Sequence, residues 1–196
     1  MKAKMFFAAV AMVAVAATAQ AQEARYEFEK AVITTKTEMM GQPMITTYYI
    51  DDYGKKEASE FTMDMSAMGG NKMEMRSVRT EDGTVSFDKS NLKEGRKTEG
   101  SVNFLNLTPE VIKKHKIKEK GEETIDGRPC KIYVVNTEQM GMSVSSQVWV
   151  WKGFTVKTVV DGGMFTIETK MDTFDENGKI PDGVFDIPAD MKIRKQ

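Results

Sequence analysis

Gln147-Val148-Trp149-Val150-Trp151-Lys152-Gly153-Phe154-Thr155-Val156-Lys157 holds both tryptophans of the chain and is apolar on both alternating faces. Side chains alternate along an extended strand, so Val148 and Val150 point one way and Trp149 and Trp151 the other. A strand apolar on both faces has to be covered twice, by core on one side and by a second layer, a lid or a ligand on the other. The stretch therefore predicts a two-sided strand from Gln147 to Trp151. It also makes Trp149, Trp151 and Phe154 candidates for contact with an apolar ligand.

Outward from this stretch the pattern stays strand-like. Tyr26 and Phe28 share one phase and Ala31 and Ile33 the other, which predicts a strand with a bulge near Glu29-Lys30. Gly41-Gln42-Pro43 punctuates before a second strand, Ile45 to Tyr53, dense in β-branched and aromatic residues. A third, Glu57 to Met65, sets Phe61, Met63 and Met65 on one face and is broken by Met68-Gly69-Gly70-Asn71. Glu81-Asp82-Gly83 supplies a tight turn between Met73–Thr80 and Thr84–Asp88. Similar turn signals recur at Asp126-Gly127, Asp161-Gly162-Gly163 and Asn177-Gly178. Short strands joined this way predict a mainly β fold, a largely antiparallel sheet that is curled or closed, in place of alternating βαβ units. One short helix is expected: Thr108 caps, Pro109 suits the first helical position, Glu110 favours the positive end of the dipole, and the helix runs to about His115. Leu107, Val111, Ile112 and His115 lie near one side, so the helix has to rest on the sheet.

The first 21 of the 196 residues have the form of an export signal: Lys2 and Lys4, an apolar run from Met5 to Ala17, and Ala19-Gln20-Ala21 as the cleavage site. Cleavage after Ala21 leaves residues 22–196 as a single domain large enough to bury its own core. No cysteine stands at the cleavage point to be lipidated, since the only one is Cys130. The expected location is the periplasm, with no transmembrane segment after cleavage. Without Lys2 and Lys4 the 28 basic residues become 26 against 29 acidic, a net charge of −3, which gives no electrostatic reason to expect nucleic acid. Thirteen of the 16 methionines lie beyond the signal.

No residue pattern carries catalysis. His115 is the only histidine and sits among lysines, and general-base chemistry needs partners that are not in view. Cys130 shares a phase with Ile132 and Val134, as a buried small hydrophobe does. A calcium-loop alignment of the acidic run at residues 172–178 puts Thr173 and Val184 where acidic ligands belong, so a turn is the better account. The lysines from Lys113 to Lys120 are diluted by Glu119, Glu122 and Glu123. Neither a cofactor nor a resident metal is expected. Met63 with Met65, and Met73 with Met75, fall on common faces of two successive strands. Thioethers there suit either an adaptable apolar surface or, as a weaker alternative, soft ligands for monovalent copper.

The motifs Asn71-Lys72-Met73-Glu74-Met75-Arg76 and Gly121-Glu122-Glu123-Thr124-Ile125-Asp126-Gly127-Arg128-Pro129-Cys130-Lys131-Ile132-Tyr133 resemble an uncharacterised family of exported Bacteroidota proteins. Through Trp149-Val150-Trp151-Lys152-Gly153-Phe154 and Ile180-Pro181-Asp182-Gly183-Val184-Phe185-Asp186-Ile187-Pro188 the chain is also similar to the wider superfamily of outer-membrane lipoprotein carriers and receptors. That resemblance implies a single curved, unclosed antiparallel sheet, a half-barrel with one or two short helices against its concave side and an apolar cavity between. The resulting expectation is a non-enzymatic periplasmic protein whose ligand, a lipid or a lipoprotein acyl chain, meets Trp149, Trp151, Phe154, Met63, Met65, Met73 and Met75. The alternative is an envelope structural module with a protein partner.

Overall fold

From Ala31 onward, runs of β-branched and aromatic residues form strands wherever turn residues let the chain reverse. The computed structural model describes residues 23–39, 42–64, 72–139, 142–161 and 166–195. The strands are β1 Ala31–Met39, β2 Gln42–Asp51, β3 Lys56–Asp64, β4 Lys72–Thr80, β5 Gly83–Asp88, β6 Glu94–Thr98, β7 Lys118–Ile125, β8 Arg128–Gln139, β9 Met142–Trp151, β10 Phe154–Asp161, β11 Thr166–Asp175 and β12 Lys192–Lys195, with the helix α1 at Pro109–Lys114. They make one open, curved sheet in the order β12-β6-β5-β4-β3-β2-β1-β11-β10-β9-β8-β7. Every pairing is antiparallel except β12 with β6. Register shifts at Thr34/Thr35, Thr155/Lys157 and Glu119/Gly121 mark irregularities of the kind that sharpen the twist of a sheet. The export signal expected at residues 1–21, and the turn expected at Gly162-Gly163, lie outside the described residues.

The segment at residues 23–30 departs from the expected first strand. Instead of entering a ladder it crosses the lower end of the sheet: Arg25 N donates to Tyr53 O at 2.8 Å, Glu27 N to Lys152 O at 3.1 Å, and Tyr53 N to Glu29 O at 2.9 Å. The phase change near Glu29-Lys30 is the junction of this strap with β1, not a bulge. Asn177-Gly178 likewise closes no hairpin, because the chain leaves β11 there and runs back over β3 to β5. Lys152 and Gly153 turn β9 into β10 with φ of 50° and 83°, the paired positive φ of a two-residue hairpin.

Three clusters fill the fold. Tyr26, Phe28, Ala31, Ile33, Ile50, Cys130, Trp149, Phe154, Val156 and Met171 form the first. The second sets Ala58, Val78, Val85 and Phe87 of the sheet against Val184 and Met191 of the C-terminal segment. In the third, Tyr133, Val135, Val148, Val150 and Ile117 are packed by Val102, Phe104, Leu107 and Val111. Each fully buried aliphatic side chain, Ile33, Ile50 or Val184 for example, contributes about 1.5–3 kcal/mol. The two faces of β9 thus go to different clusters, Trp149 to the first and Val148 with Val150 to the third, as the double-sided reading requires. Thr108 Oγ1 accepts from Val111 N at 3.3 Å and caps α1. Ile112, expected on the packed side of the helix, is exposed.

Candidate ligand-binding face

Between β2 and β5 the ladders have no register shift, so rows of side chains can be followed across the sheet. The row nearest the strap is Ala31, Ile50 and Glu57. The next is Ile33, Tyr48, Ser59, Ser77 and Ser86, and the third is Thr35, Thr46, Phe61 and Met75. Thr37 with Met44, and Met63 with Met73, come above it. Strand alternation puts all of them on one face. Along it the lower residues are sealed, since Ala31, Ile33 and Ile50 have no exposure, whereas Met44, Phe61, Met63, Met73 and Met75 are half-buried. Thr35, Thr37 and Thr46 are buried among them. Thr37 Oγ1 shares a hydrogen bond of 2.7 Å with Thr169 Oγ1. The methionine end is apolar, polarisable and partly open, and among the described residues this face brings no pair of acid and base together there.

A polar network anchors the lower end. Arg25 donates to Ser101 Oγ at 2.6 Å and to Val102 O at 2.9 Å, and its Nε lies 3.7 Å from Glu57 Oε2. Tyr26 donates its phenol to the same Glu57 oxygen at 3.0 Å, and Arg79 reaches Gly54 O at 2.6 Å. Burial, followed by the Glu57 charge, pushes the Tyr26 phenol well above its ordinary value. The neutral phenol is thereby kept as a donor.

The tryptophans occupy the packed part of the fold. Trp149 is 7% exposed, its Nε1 donates to Glu123 Oε2 at 2.6 Å, and Lys157 Nζ stands 5.0 Å from its ring centre. Trp151 is half-buried, edge-on to Phe174 at 5.1 Å, with Arg128 and Lys152 over its ring at 5.3 and 4.9 Å. Phe154, 5% exposed, meets Tyr48 edge-on at 5.5 Å. Trp149, Trp151 and Phe154 therefore sit together in or against the first cluster, while Met63, Met73 and Met75 share the open end of the β1–β4 face. Met65 lies outside the described residues. Sequence reasoning missed Met44, Thr35 and Thr46 as neighbours of these methionines; their signal was strand phase, and only the register joins them.

Cys130 is buried, and burial raises its thiol pKa. His115 closes the helix and accepts a backbone bond from Asn136. Among the described residues no group of three or more histidines, cysteines or carboxylates is placed to hold a metal ion, and no helix is long and apolar enough to cross a membrane.

No protein-family model and no curated protein matches the chain. Solved structures do. An uncharacterized conserved protein from Thermus thermophilus is 10% identical over 86% of this chain and 91% of that one, with a TM-score of 0.51. PNGF-II is 15% identical over 86% of this chain and 32% of that one, with a TM-score of 0.50, so the chain spans about a third of that protein. MucB is 13% identical over 86% of this chain and 60% of that one, at a TM-score of 0.47. The first two are likenesses of fold.

Proposed function

We propose that this chain is a non-enzymatic protein of the cell envelope that binds an apolar, acyl-chain-like ligand at the methionine end of the β1–β4 face. Met44, Phe61, Met63, Met73 and Met75 contact the ligand, and Trp149, Trp151 and Phe154 form the packed support beneath. The observation that carries this reading is the gradient along one face, from side chains with no exposure to five large apolar ones left half-buried. A sheet face whose only task is to close a core has no reason to end in flexible thioethers, whereas a surface that accommodates chains of varied shape does. Burying about eight methylenes gives about 6 kcal/mol, a Kd on the order of 10 µM before ordering costs. Export to the periplasm belongs to the same proposal, and an intact mass lacking residues 1–21 checks it.

Native mass spectrometry and lipid extraction of protein taken gently from its own envelope, with a fluorescent fatty-acid titration alongside, test the binding. Wild type is expected to carry or take up an acyl chain, and the triple change Met63→Gln, Met73→Gln, Met75→Gln to lose it while keeping its melting transition. A protein that carries nothing, binds no probe and responds to the triple change only by unfolding is a structural module instead.

A further inference from the structure

Two strands end the sheet, and they treat their free edges differently. On β7 the edge is interrupted by the register shift at Glu119/Gly121 and studded with Lys118, Glu119, Lys120, Glu122 and Glu123. Bulges and mixed charges of this kind block pairing with another strand. β12 has neither a bulge nor a proline. Its register on β6 is regular, Lys192 opposite Glu94, Ile193 opposite Gly95, Arg194 opposite Arg96 and Lys195 opposite Lys97. Lys192 N donates to Lys93 O at 2.9 Å. In a parallel ladder the N–H and C=O of one residue point the same way and alternate residues point oppositely. Lys192 and Arg194 therefore bond toward β6, while Ile193 and Lys195 present their backbone groups outward.

Only part of the positive charge on this edge has an acidic counterpart among the described residues. Arg194 pairs with Glu94 at 2.9 Å, and Lys97 pairs with Asp82. Lys93, Arg96, Lys192 and Lys195 are exposed and have no acidic partner among the described residues. The register nevertheless sets Arg194 opposite Arg96 and Lys195 opposite Lys97, and like charges directly opposite are unfavourable. Ile193, 44% exposed, offers an apolar contact beside them. We propose that the free edge of β12 docks an extended acidic segment of a partner protein, which adds to the sheet as a further strand. Its backbone meets the outward groups of Ile193 and Lys195, and its carboxylates meet Lys192, Lys195 and Arg96. A second copy of this chain does not fit, because β12 against β12 opposes cation to cation and the β7 edge is interrupted. An anionic membrane uses the cations but leaves the outward backbone groups without a strand. The same lysines that repel strands in general select an acidic one. The proposal is independent of the apolar ligand.

Fluorescence anisotropy of the full chain with a labelled ten-residue peptide of alternating Glu and Val tests it. The arms are a Lys-Val counterpart, the acidic peptide N-methylated at alternate residues, and vesicles of phosphatidylcholine with phosphatidylglycerol. The acidic peptide is expected to bind and the basic one not. N-methylation should weaken binding about tenfold by removing backbone donors, and about 1 M salt should weaken it further. Lys192→Glu with Lys195→Glu should abolish binding. Ile193→Pro, which deletes an outward N–H and spares the ladder to β6, should reduce it. Equal binding of the basic peptide, indifference to N-methylation, unchanged affinity in the folded double variant, or binding to vesicles without binding to the peptide each overturns the proposal.

Discussion

Trp149 is held from three directions, by the first core cluster, by the Glu123 carboxylate on its Nε1 and by Lys157 over its ring. Met75, on the open face, is only half-buried. Trp149→Ala should therefore cost about 3–5 kcal/mol in a denaturant titration, against about 1 kcal/mol for Met75→Ala, where less apolar area leaves water. Equal losses would place both residues in one packed core and remove the distinction on which the ligand face rests. That Trp149 and Trp151 are large and share a strand phase is plain from their order. That Lys157 and Glu123, eight and 26 positions away, close over Trp149 is not, since both depend on register between strands.

At the scale of elements, the hairpin at Lys152-Gly153 does two tasks, reversing the chain and receiving the strap. Gly153 combines a φ of 83° with so close an approach that an added Cβ would collide with the carbonyl oxygen of Arg25. Gly153→Ala is expected to destabilise by about 1–3 kcal/mol and to raise hydrogen exchange at Glu27, whose amide bonds to Lys152 O. Stability loss without faster exchange at Glu27 would mean the strap is fastened elsewhere. The helix α1 is only six residues long, too short to persist by propensity, so its cap and its contacts decide its order. Thr108→Ala should cost about 1 kcal/mol and expose Val148 and Val150 amides to exchange before those of β1. The cap was legible in Thr108-Pro109-Glu110, but the exposed side of Ile112 was not, because an apolar stripe on so short a helix does not say which neighbour it will meet.

Across the whole molecule, the C-terminal segment fastens to the sheet through Arg76, which donates to Gly183 O at 3.2 Å and to Glu60 at 2.8 Å, with Lys89 on the same carboxylate at 3.1 Å. Burial acts to raise the Glu60 pKa, and the hydrogen bonds and charges of Lys89 and Arg76 outweigh it, so the group titrates below its ordinary 4.5. A lowered folded value means stability that is fully present above the unfolded pKa and is lost as pH falls through the folded one. Urea melts should show stability falling from about pH 5 downward, and Glu60→Gln should flatten that acid limb. An unchanged limb would assign the acid sensitivity to other carboxylates. Glu60, Glu74, Lys89 and Ile45 border a groove of about 380 Å³.

The sequence by itself determined the alternation and turn chemistry that make this a β-sheet, the capped helix, the two-sided strand at Trp149 and Trp151, and the common phase of Met73 with Met75. Those are local properties, set by backbone sterics and by side-chain period within a few residues. Only the tertiary structure decided that residues 23–30 form a strap, that β1 pairs with β11 to join the two halves of the sheet, and that β12 returns to lie parallel to β6 with Arg194 and Lys195 facing like charges. It alone put Met44 beside the methionines, and the tryptophans in the packed cluster. Register and burial are settled between strands far apart in the chain, where a one-residue slip turns every side chain to the other face.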